Sequence, residues 1–514
     1  MTFLQRAAGP LLFLGLWVLL LAGGRSSFLR DPGTFWHVKT GEKILDEGFI
    51  DADPFTFTFP GKPWTPYQWL GEVAMALVHK IGGLDSLLVC ATALIAGLFA
   101  WLAMQMLRSG LHPVAVLAVL GLALAAAASH FHVRPHLITM VGIAATVAAV
   151  ADVEAGRFSW RRLIWLVPAY WVWCNVHGGA LGGLVTLALA VAGWIGLWLF
   201  KRPSPIRSWK DAALLIAIGL ACGATAFATP YGADIVKTWL EIMFMPRLPE
   251  IVREHARTEL SDPSAWPVFV LGAVYLFVLA GVHPRNWRAS WFLPLFWFLQ
   301  ACFRVRHAPL FAVAALVGLA DIWPHTRWAA WVAAQRPDFY NAAGLPVKWG
   351  RFGRWVPFAA VGFALLLQSF DLSVPLIGSG WAKLDPAYWP TEQIETLKQH
   401  EPADPAKARI FTDYIDGGFV IYHAPGYRVF VDDRCELFGD EWLVKFVRAG
   451  SGDPGPSIAA WEVEYGRFEF AMVRTGSPFD EHFKKRRDWS LINPGTTANF
   501  YERNAIVRVP MAKP

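Results

Sequence analysis

Residues 84–107 read LDSLLVCATALIAGLFAWLAMQML, an almost unbroken apolar run whose only charged residue is Asp85. A helix that crosses a bilayer needs about 20 mostly apolar residues, so this stretch predicts a transmembrane helix. The whole chain has the same character: of its 514 residues, 55% are hydrophobic and 17% are charged, and the mean hydropathy is +0.36. This composition excludes a soluble globular protein and indicates a chain that crosses a membrane several times.

Other runs along the chain resemble this one in their apolar character. The predicted spans are 7–24, 84–107, 112–129, 136–152, 162–175, 179–200, 211–229, 264–282, 291–303, 307–323 and 353–370. They predict an all-α polytopic membrane domain over residues 1–370, with about 11 transmembrane helices. An odd number of spans places the N-terminus and the region after residue 370 on opposite sides of the membrane.

Basic residues mark one side of this domain. The loops on the same side as the N-terminus are short and rich in Lys and Arg, as in EAGRFSWRR (154–162) and KRPSPIRSWK (201–210). The positive-inside rule assigns such loops to the cytoplasm. The N-terminus is therefore predicted to be cytoplasmic and the C-terminal region extracytoplasmic. The same rule accounts for the net charge of +6 without a nucleic-acid partner.

Residues 384–514 differ from the rest, because the charge density rises and the long apolar runs end. They predict a small soluble α/β domain, joined to the membrane domain by a linker at 371–383. Strands are predicted for the short runs at 408–412, 418–423, 427–431, 468–474 and 499–504, and a helix for 439–449. The acid pair Asp432 and Asp433 could bind a metal ion or a sugar, but an ion pair with Arg434 that shapes the turn is favoured.

The first outer segment, residues 25–83, is long and polar. It carries Asp31, His37 and Asp53. Its later part, 64–80, predicts an amphipathic helix that lies along the membrane surface, with Glu72 on the polar face. Such a helix beside a polar loop could form the wall of a groove that is open to lipid.

Later outer loops are also polar, whereas the interiors of the spans carry almost no charge. The candidate residues of these loops are Arg134 and His136 in SHFHVRPH, His177 in NVHGG, and Arg304 and Arg306 in RVRH. Ionisable residues near membrane depth are costly and usually functional. Because guanidinium groups bind phosphate oxygens in pairs, the arginines are predicted to hold a lipid-linked phosphate. Asp31 is predicted to take a proton from an acceptor hydroxyl.

Several stretches carry a resemblance to a known family. They are residues 30–73, RPH (134–136), WCNVHGG (173–179), TPYG (229–232), RVRHAPLF (304–311) and VFVDDRCELFG (429–439). Through these motifs, which cover nearly the whole chain, the sequence resembles bacterial multi-spanning proteins related to the GT-C glycosyltransferases, of the family 39 or protein-mannosyltransferase-like type.

The resemblance implies a GT-C-like domain in the bacterial cytoplasmic (inner) membrane and a polyprenyl-phosphate-linked sugar as donor. Enzymes of this superfamily carry a catalytic Asp, or a pair of acids, just after the first span, and Asp31 matches that placement. Pro32 stands where some relatives have a second acid. The implied reaction is transfer of a hexose or pentose to a glycan, lipid or protein acceptor of the cell envelope. The sequence shows no required cofactor and leaves a divalent metal open.

The residues of the first outer segment also have structural interpretations. Asp31 precedes Pro32 and could cap a helix. His37 could hydrogen-bond a neighbouring loop, and Glu72 could belong to a solvated or ion-paired helix face. Asp53 lies in a turn sequence, for which a structural role is favoured.

The later loops have such interpretations as well. Arg134 and Arg306 could extend their charged ends to the membrane surface, although a phosphate contact is favoured for Arg134. His177 could be structural, with its neighbouring glycines allowing helices to approach closely.

The favoured function is therefore an integral-membrane glycosyltransferase acting at the outer face of the cytoplasmic membrane. One alternative is a non-catalytic assembly or binding protein for envelope polysaccharide, with residues 384–514 as its recognition module. A transporter or flippase is disfavoured, because such proteins carry ionisable residues within their spans.

Overall fold

The computed structural model describes residues 3–335, 349–404 and 408–504. Contacts divide the chain into two compact units. The helical unit comprises residues 1–28, 67–243 and 248–382, and the sheet unit comprises residues 29–66, 244–247 and 383–514.

Most of the α-helices among the described residues lie before residue 370. They are α1 (Phe3–Ser27), α2 (Gly33–Glu47), α3 (Trp69–Arg108), α4 (Pro113–Ala127), α5 (Leu137–Glu154), α6 (Leu166–Val176), α7 (Ala180–Leu199), α8 (Trp209–Ala224), α9 (Ala233–Phe244), α10 (Leu248–Ile251), α11 (Trp266–Ala280), α12 (Leu293–Phe303), α13 (Ala308–Ile322), α14 (Arg327–Gln335) and α15 (Val356–Ser369). The later helices are α16 (Ile394–Gln399), α17 (Gly417–His423), α18 (Cys435–Phe438), α19 (Asp440–Gly450), α20 (Gly455–Glu464) and α21 (Pro478–Lys485).

Every predicted span coincides with a helix of the helical unit. Among the described residues, eight helical segments are long and apolar enough to cross a membrane, and the apolar segment Ala289–Phe303 is shorter. These helices indicate a multi-pass membrane protein. The predicted number of about 11 spans and the predicted sidedness stay predictions.

Helix α13 is the centre of the helical unit. It packs against α3, α4, α5, α11 and α12, and nearly all of its residues are buried. Small residues allow this crowding. At Gly318, an added Cβ would lie 2.6 Å from the hydroxyl oxygen of Tyr275, so only glycine permits that approach.

Helix α3 consists of two segments separated by a break. Gly82 and Gly83 have non-helical backbone angles, and the φ of +63° at Gly83 favours glycine. The Ser86 hydroxyl donates to the carbonyls of Val78 (2.6 Å) and Gly83 (2.8 Å). An amphipathic helix was predicted at 64–80, and in the structure this helix begins at Trp69. The break separates it from the predicted span 84–107.

The sheet unit contains a five-stranded sheet of order β2-β1-β3-β5-β4. Its strands are β1 (Arg409–Thr412), β2 (Arg428–Val429), β3 (Phe470–Arg474), β4 (Trp489–Asn493) and β5 (Ala498–Arg503). Strands β2, β1 and β3 are parallel, and β5 is antiparallel to both β3 and β4. The unit therefore has the predicted α/β character.

Residues of the first outer segment extend this sheet. The amide of Val429 donates to the carbonyl of Phe55 (3.0 Å), and the amide of Phe57 donates to the carbonyl of Val429 (3.1 Å). Contacts therefore group residues 29–66 with the C-terminal region, whereas the sequence assigned 25–83 to the membrane domain. The reason is this pairing between distant segments, which local sequence does not reveal.

The strand predicted at 418–423 is wrong. Residues Gly417–His423 form helix α17, in which Phe419, Val420 and Ile421 are buried. A short apolar run has too few residues for its period to distinguish a strand from a buried helix. Strand β4 was missed, because only its first residue, Trp489, is buried and the pattern is weak.

Candidate functional site

Polar residues from four separate loops meet at one end of the helical unit. We call them the histidine–arginine cluster, and they are His130, Arg134, His136, His177, Glu254, His255 and Arg306. The loops precede α5, follow α6, lie between α10 and α11, and precede α13. All four of these loops were predicted to share a face, and the structure brings their residues together.

Glu254 is the acid of this cluster. Its Oε1 atom lies 3.9 Å from Nη1 of Arg306, and its Oε2 atom lies 3.6 Å from Nε2 of His130. Burial would raise the pKa of Glu254, but the charge of Arg306 and the neighbouring His255 hold it well below its ordinary value. Glu254 is therefore a charged carboxylate at neutral pH.

His255 is held between the acid and the arginine. The Nη1 atom of Arg306 donates to Nε2 of His255 at 2.5 Å. Burial lowers the pKa of His255, and the charge of Arg306 adds to this effect. His255 is thus a neutral acceptor that orients the guanidinium. The amide of Val305 also donates to the carbonyl of Ala256 (3.0 Å), which fixes the two loops together.

His177 has a defined tautomer. Its Nδ1 atom accepts from the amide of Gly179 (2.9 Å) and lies 2.9 Å from the hydroxyl of Thr139. Nδ1 is therefore the acceptor, and the ring proton resides on Nε2. Burial lowers the pKa of His177 well below its ordinary value, and the neighbouring His136, Arg306 and other charges add to this. His177 is a neutral side chain with one donor, Nε2–H.

Positive charge dominates this end of the unit. Arg134 and Arg306 both act electrostatically on Glu254 and His177, and Arg304 lies beside Arg306, where its Nη2 donates to the Met243 carbonyl (3.3 Å). Glu254 is the carboxylate that opposes them in these interactions. The arrangement offers charge-assisted donors to an anion with several oxygens, such as a phosphate.

Glu72 lies in the first turn of α3 and is only 1% exposed. This turn adjoins two loops of the cluster: an added Cβ at Gly71 would lie 2.7 Å from Pro135 and 3.1 Å from the carbonyl of Val176. Trp69 donates from Nε1 to the side-chain oxygen of Asn175 at 2.7 Å. Glu72 is thus buried, which removes the interpretation of a solvated face.

The candidate residues of the first outer segment belong to the sheet unit. Asp53 lies at the centre of a buried ion cluster, in which Nη2 of Arg434 is 2.8 Å from Asp53 and 2.6 Å from Asp432. Burial would raise the pKa of Asp53, but Arg434 and hydrogen bonds from Thr56 and Phe55 hold it below its ordinary value. We assign Asp53 a structural role, the favoured interpretation of its turn sequence.

Asp31 lies two residues before the start of helix α2. Its Oδ1 atom accepts from the amide of Gly33 at 2.8 Å, which is the capping role proposed as the alternative to catalysis. Asp31 is half-buried. Burial raises the pKa of Tyr388, and the charge of Asp31 raises it further, followed by that of Asp416 and of Asp433. Asp31 therefore lies near Tyr388, whose surroundings also include Arg30 and Arg474.

His37 is fully buried in α2, with its ring centre 3.7 Å from that of Trp36. Trp36 in turn donates from Nε1 to Asp433 at 2.8 Å. The sequence had favoured hydrogen bonding to a neighbouring loop over chemistry for His37, and its burial agrees with a structural role.

Sequence reasoning did not select Glu254, His255 or His130 as site residues. They lie in outer loops that were predicted to share the face, but no local pattern links residues 130, 254 and 306. The signal that could have found Glu254 is an acid flanked by Arg253 and His255 in an outer loop. Among the described residues, no group of three or more His, Cys, Asp or Glu side chains could hold a metal ion.

The fold and the cluster define a multi-helix membrane protein with a basic, histidine-rich end. Two solved structures of the oligosaccharyltransferase of Archaeoglobus fulgidus are similar to the chain. One is tethered through a disulfide bond to an acceptor peptide containing the NVT sequon; it matches at 12% identity and a TM-score of 0.48, over 90% of this chain and 69% of its own. The other is the apo form, at 12% identity and a TM-score of 0.34, over 91% and 68%.

No family model and no curated protein matches the sequence. Because both TM-scores are below 0.5, these likenesses carry no conclusion about activity. The resemblance of the motifs to GT-C glycosyltransferases, the bacterial origin and the family 39 type therefore stay predictions.

Proposed function

We propose that this chain is an integral-membrane glycosyltransferase. In this proposal it moves a sugar from a polyprenyl-phosphate-linked donor to a glycan, lipid or protein acceptor at the outer face of the bacterial cytoplasmic membrane. The observation that carries the proposal is the convergence of Arg134, His177 and Arg306 at one end of the apolar helices. A donor of this class has its tail in the bilayer and its phosphate at the same depth as helix ends.

The arginines have a defined task in such a reaction. The acceptor oxygen forms a bond with the anomeric carbon while the bond from that carbon to the phosphate oxygen breaks, and the lipid phosphate leaves with the electron pair. Negative charge on the phosphate increases in the transition state. Guanidinium groups that are already oriented stabilise that charge without reorganising. His255 and Glu254 orient Arg306 in this way.

His177 contributes a neutral donor to the same task. Because Nδ1 is occupied by the amide of Gly179, Nε2–H is available to a phosphate oxygen. A neutral histidine donates the hydrogen of its Nε2–H group, and this hydrogen stays on the ring at neutral pH. Arg304 adds positive charge beside Arg306. We assign these residues to phosphate binding, with Arg134 and His136 as further members.

We assign the base to Asp31. The support is chemical and comes from the resemblance, since GT-C enzymes place a catalytic acid just after the first span. As a carboxylate, Asp31 would take the proton of the acceptor hydroxyl as the oxygen attacks. In the structure, Oδ1 of Asp31 accepts a hydrogen bond from the amide of Gly33.

The test is the release of free polyprenyl phosphate by the purified full chain from a panel of polyprenyl-phosphate sugars. Wild type is expected to release it, and Asp31→Asn and Arg306→Ala are expected to lose release. Arg351→Ala, a change at an exposed arginine outside the cluster, is the control. If Asp31→Asn kept full activity, the base would be another residue. If no donor reacted and polyprenyl phosphate did not bind, the non-catalytic binding protein would replace this proposal.

A further inference from the structure

A second basic site lies at the opposite end of the same helices. A cavity of about 850 Å³ is lined by the residues that follow α5 and α7 and precede α8 and α12. The histidine–arginine cluster lies where α5, α7 and α13 begin, whereas this cavity lies where α5 and α7 end. Helix α5 has 18 residues, so at 1.5 Å per residue the two ends are about 27 Å apart.

Arginines dominate the lining of this cavity. They are Arg161, Arg202, Arg207, Arg285 and Arg288. Arg288 is committed to the protein, because its Nη1 lies 2.8 Å from the buried carboxylate of Asp321. Among the described residues, the other four guanidinium groups have no ion pair with a carboxylate. The guanidinium group of Arg202 donates to the carbonyl of Arg285, at 3.2 Å.

The two acids in the lining are occupied by backbone amides. The carboxylate of Glu154 accepts from the amides of Ala289 (2.7 Å) and Ser290 (2.8 Å). Asp211 accepts from the amide of Arg207 at 3.0 Å. These carboxylates hold loops together and form no ion pair with the four arginines. The two carboxylates keep their negative charge, but the five arginines of the lining outnumber them, so the cavity has a net positive charge that is available to an anion.

Aromatic side chains surround the opening. Phe158 and Trp287 line the cavity and are each 42% exposed. Phe200 directly follows α7, Trp209 begins α8, and both are still more exposed. Exposed aromatic rings beside apolar helices are typical of the membrane interface. An anion in the cavity would thus lie beside a surface suited to acyl chains.

We propose that this cavity binds the phosphate headgroup of an anionic membrane lipid. Arg202 and Arg285 hold the phosphate oxygens, and the aromatic rim carries the first part of the acyl chains. Guanidinium groups match phosphate geometry and are the usual ligands of lipid phosphate in basic pockets between helices. The proposal is independent of the glycosyltransferase activity, since it concerns the other end of the helical unit.

The test measures lipid binding to the purified full chain by native mass spectrometry. Phosphatidylglycerol and phosphatidylcholine are titrated into wild type, Arg202→Gln/Arg285→Gln and Lys201→Gln/Lys210→Gln. The lysine pair is the matched control, because it removes the same charge from exposed positions next to the cavity that do not line it. Inorganic pyrophosphate is the competitor that represents a soluble phosphate compound.

We expect wild type to bind phosphatidylglycerol at least about tenfold more tightly than phosphatidylcholine. The arginine pair should lose about tenfold in Kd for phosphatidylglycerol, and the lysine pair less than about twofold. Equal losses in both pairs would mean general attraction of lipid to positive charge and would overturn the site. Displacement of the lipid by pyrophosphate, with the same dependence on arginine, would overturn the lipid as the source of the phosphate.

The single change Arg285→Gln guards against misfolding of the double variant. Its Kd for phosphatidylglycerol should rise about threefold or more, with an unfolding temperature equal to that of wild type. A single variant that folds as wild type and binds phosphatidylglycerol with unchanged affinity would also contradict the proposal.

Discussion

The two ends of the helical unit are both rich in arginine, but the arginines differ in their carboxylate partners. In the histidine–arginine cluster, Arg306 is paired with Glu254 and oriented by His255. In the opposite cavity, Arg202 and Arg285 face acids whose oxygens are held by backbone amides. The first arrangement fixes a guanidinium in one geometry, as stabilisation of a transition state requires. The second leaves guanidinium groups without carboxylate partners among the described residues, which suits a ligand that is bound without reaction.

The largest effect is expected in the histidine–arginine cluster. Arg306→Ala removes a donor from the phosphate and leaves Glu254 without its closest cation. We expect release of lipid phosphate to fall by about 100-fold or more. The measurement is the rate of release at a saturating donor concentration. The double variant Arg306→Ala/Glu254→Gln removes the unpaired carboxylate as well. If that variant recovered full activity, Arg306 would serve only to neutralise Glu254.

A structural ion cluster at the opposite end provides the next effect. Asp321 is buried and accepts from Arg157 (2.7 Å), Arg288 (2.8 Å) and Nε1 of Trp291 (2.7 Å). Asp321→Asn removes the charge, so that Arg288 loses its carboxylate partner and Arg157 keeps only Asp152. We expect the free energy of unfolding to fall by about 2–4 kcal/mol, measured by denaturant unfolding in detergent. Asp234→Asn, at an exposed position, should change it by less than about 0.5 kcal/mol. Equal losses in the two variants would show that Asp321 is not a structural centre.

The sequence alone predicted the position of the histidine–arginine cluster better than that of the opposite cavity. The loops with Arg134, His177 and Arg306 stood out because polar residues are rare near apolar spans, and the length of each span predicted which loops share a face. The role of Glu254 could not be predicted, because its contacts with His130 and Arg306 join residues more than 50 positions apart. The grouping of residues 29–66 with the sheet could not be predicted either, because it depends on pairing between distant segments.

The opposite cavity was not predicted at all, for a different reason. Arginines in short loops are explained by the positive-inside rule, so Arg202 and Arg285 carried no signal of a site. What distinguishes them in the structure is the backbone hydrogen bonding of Glu154 and Asp211. The sequence shows acids beside arginines and suggests ion pairs, and only the fold reveals that those acids are otherwise engaged.

Two glycines, Gly179 just before α7 and Gly196 within it, offer a smaller contrast between the ends. An added Cβ at Gly179 would lie 2.4 Å from the hydroxyl of Thr139 and 2.9 Å from Nδ1 of His177, whereas at Gly196 nothing lies within 4 Å. Gly179→Ala must displace His177, and we expect a loss of about 1–3 kcal/mol in stability and a reduced rate of release. Gly196→Ala should leave both unchanged or raise stability slightly. Equal behaviour of the two variants in both measurements would mean that the position of His177 does not matter.

The smallest effect is the pH dependence that His177 adds to stability. Its pKa in the folded protein is well below the ordinary value of 6.5, so the unfolded chain binds the proton more readily. The stabilisation is therefore complete above pH 6.5 and is lost as pH falls towards the folded pKa, by at most about 1.4 kcal/mol per pH unit. His177→Gln should flatten the decline of the unfolding temperature between pH 6.5 and pH 5. His283→Gln, at an exposed position of the opposite end, should leave the decline as it is in wild type. If His177→Gln also left it unchanged, the ring would be charged in the folded protein. The cluster would then gain a third cation beside Arg134 and Arg306, and its preference for a phosphate would increase at low pH.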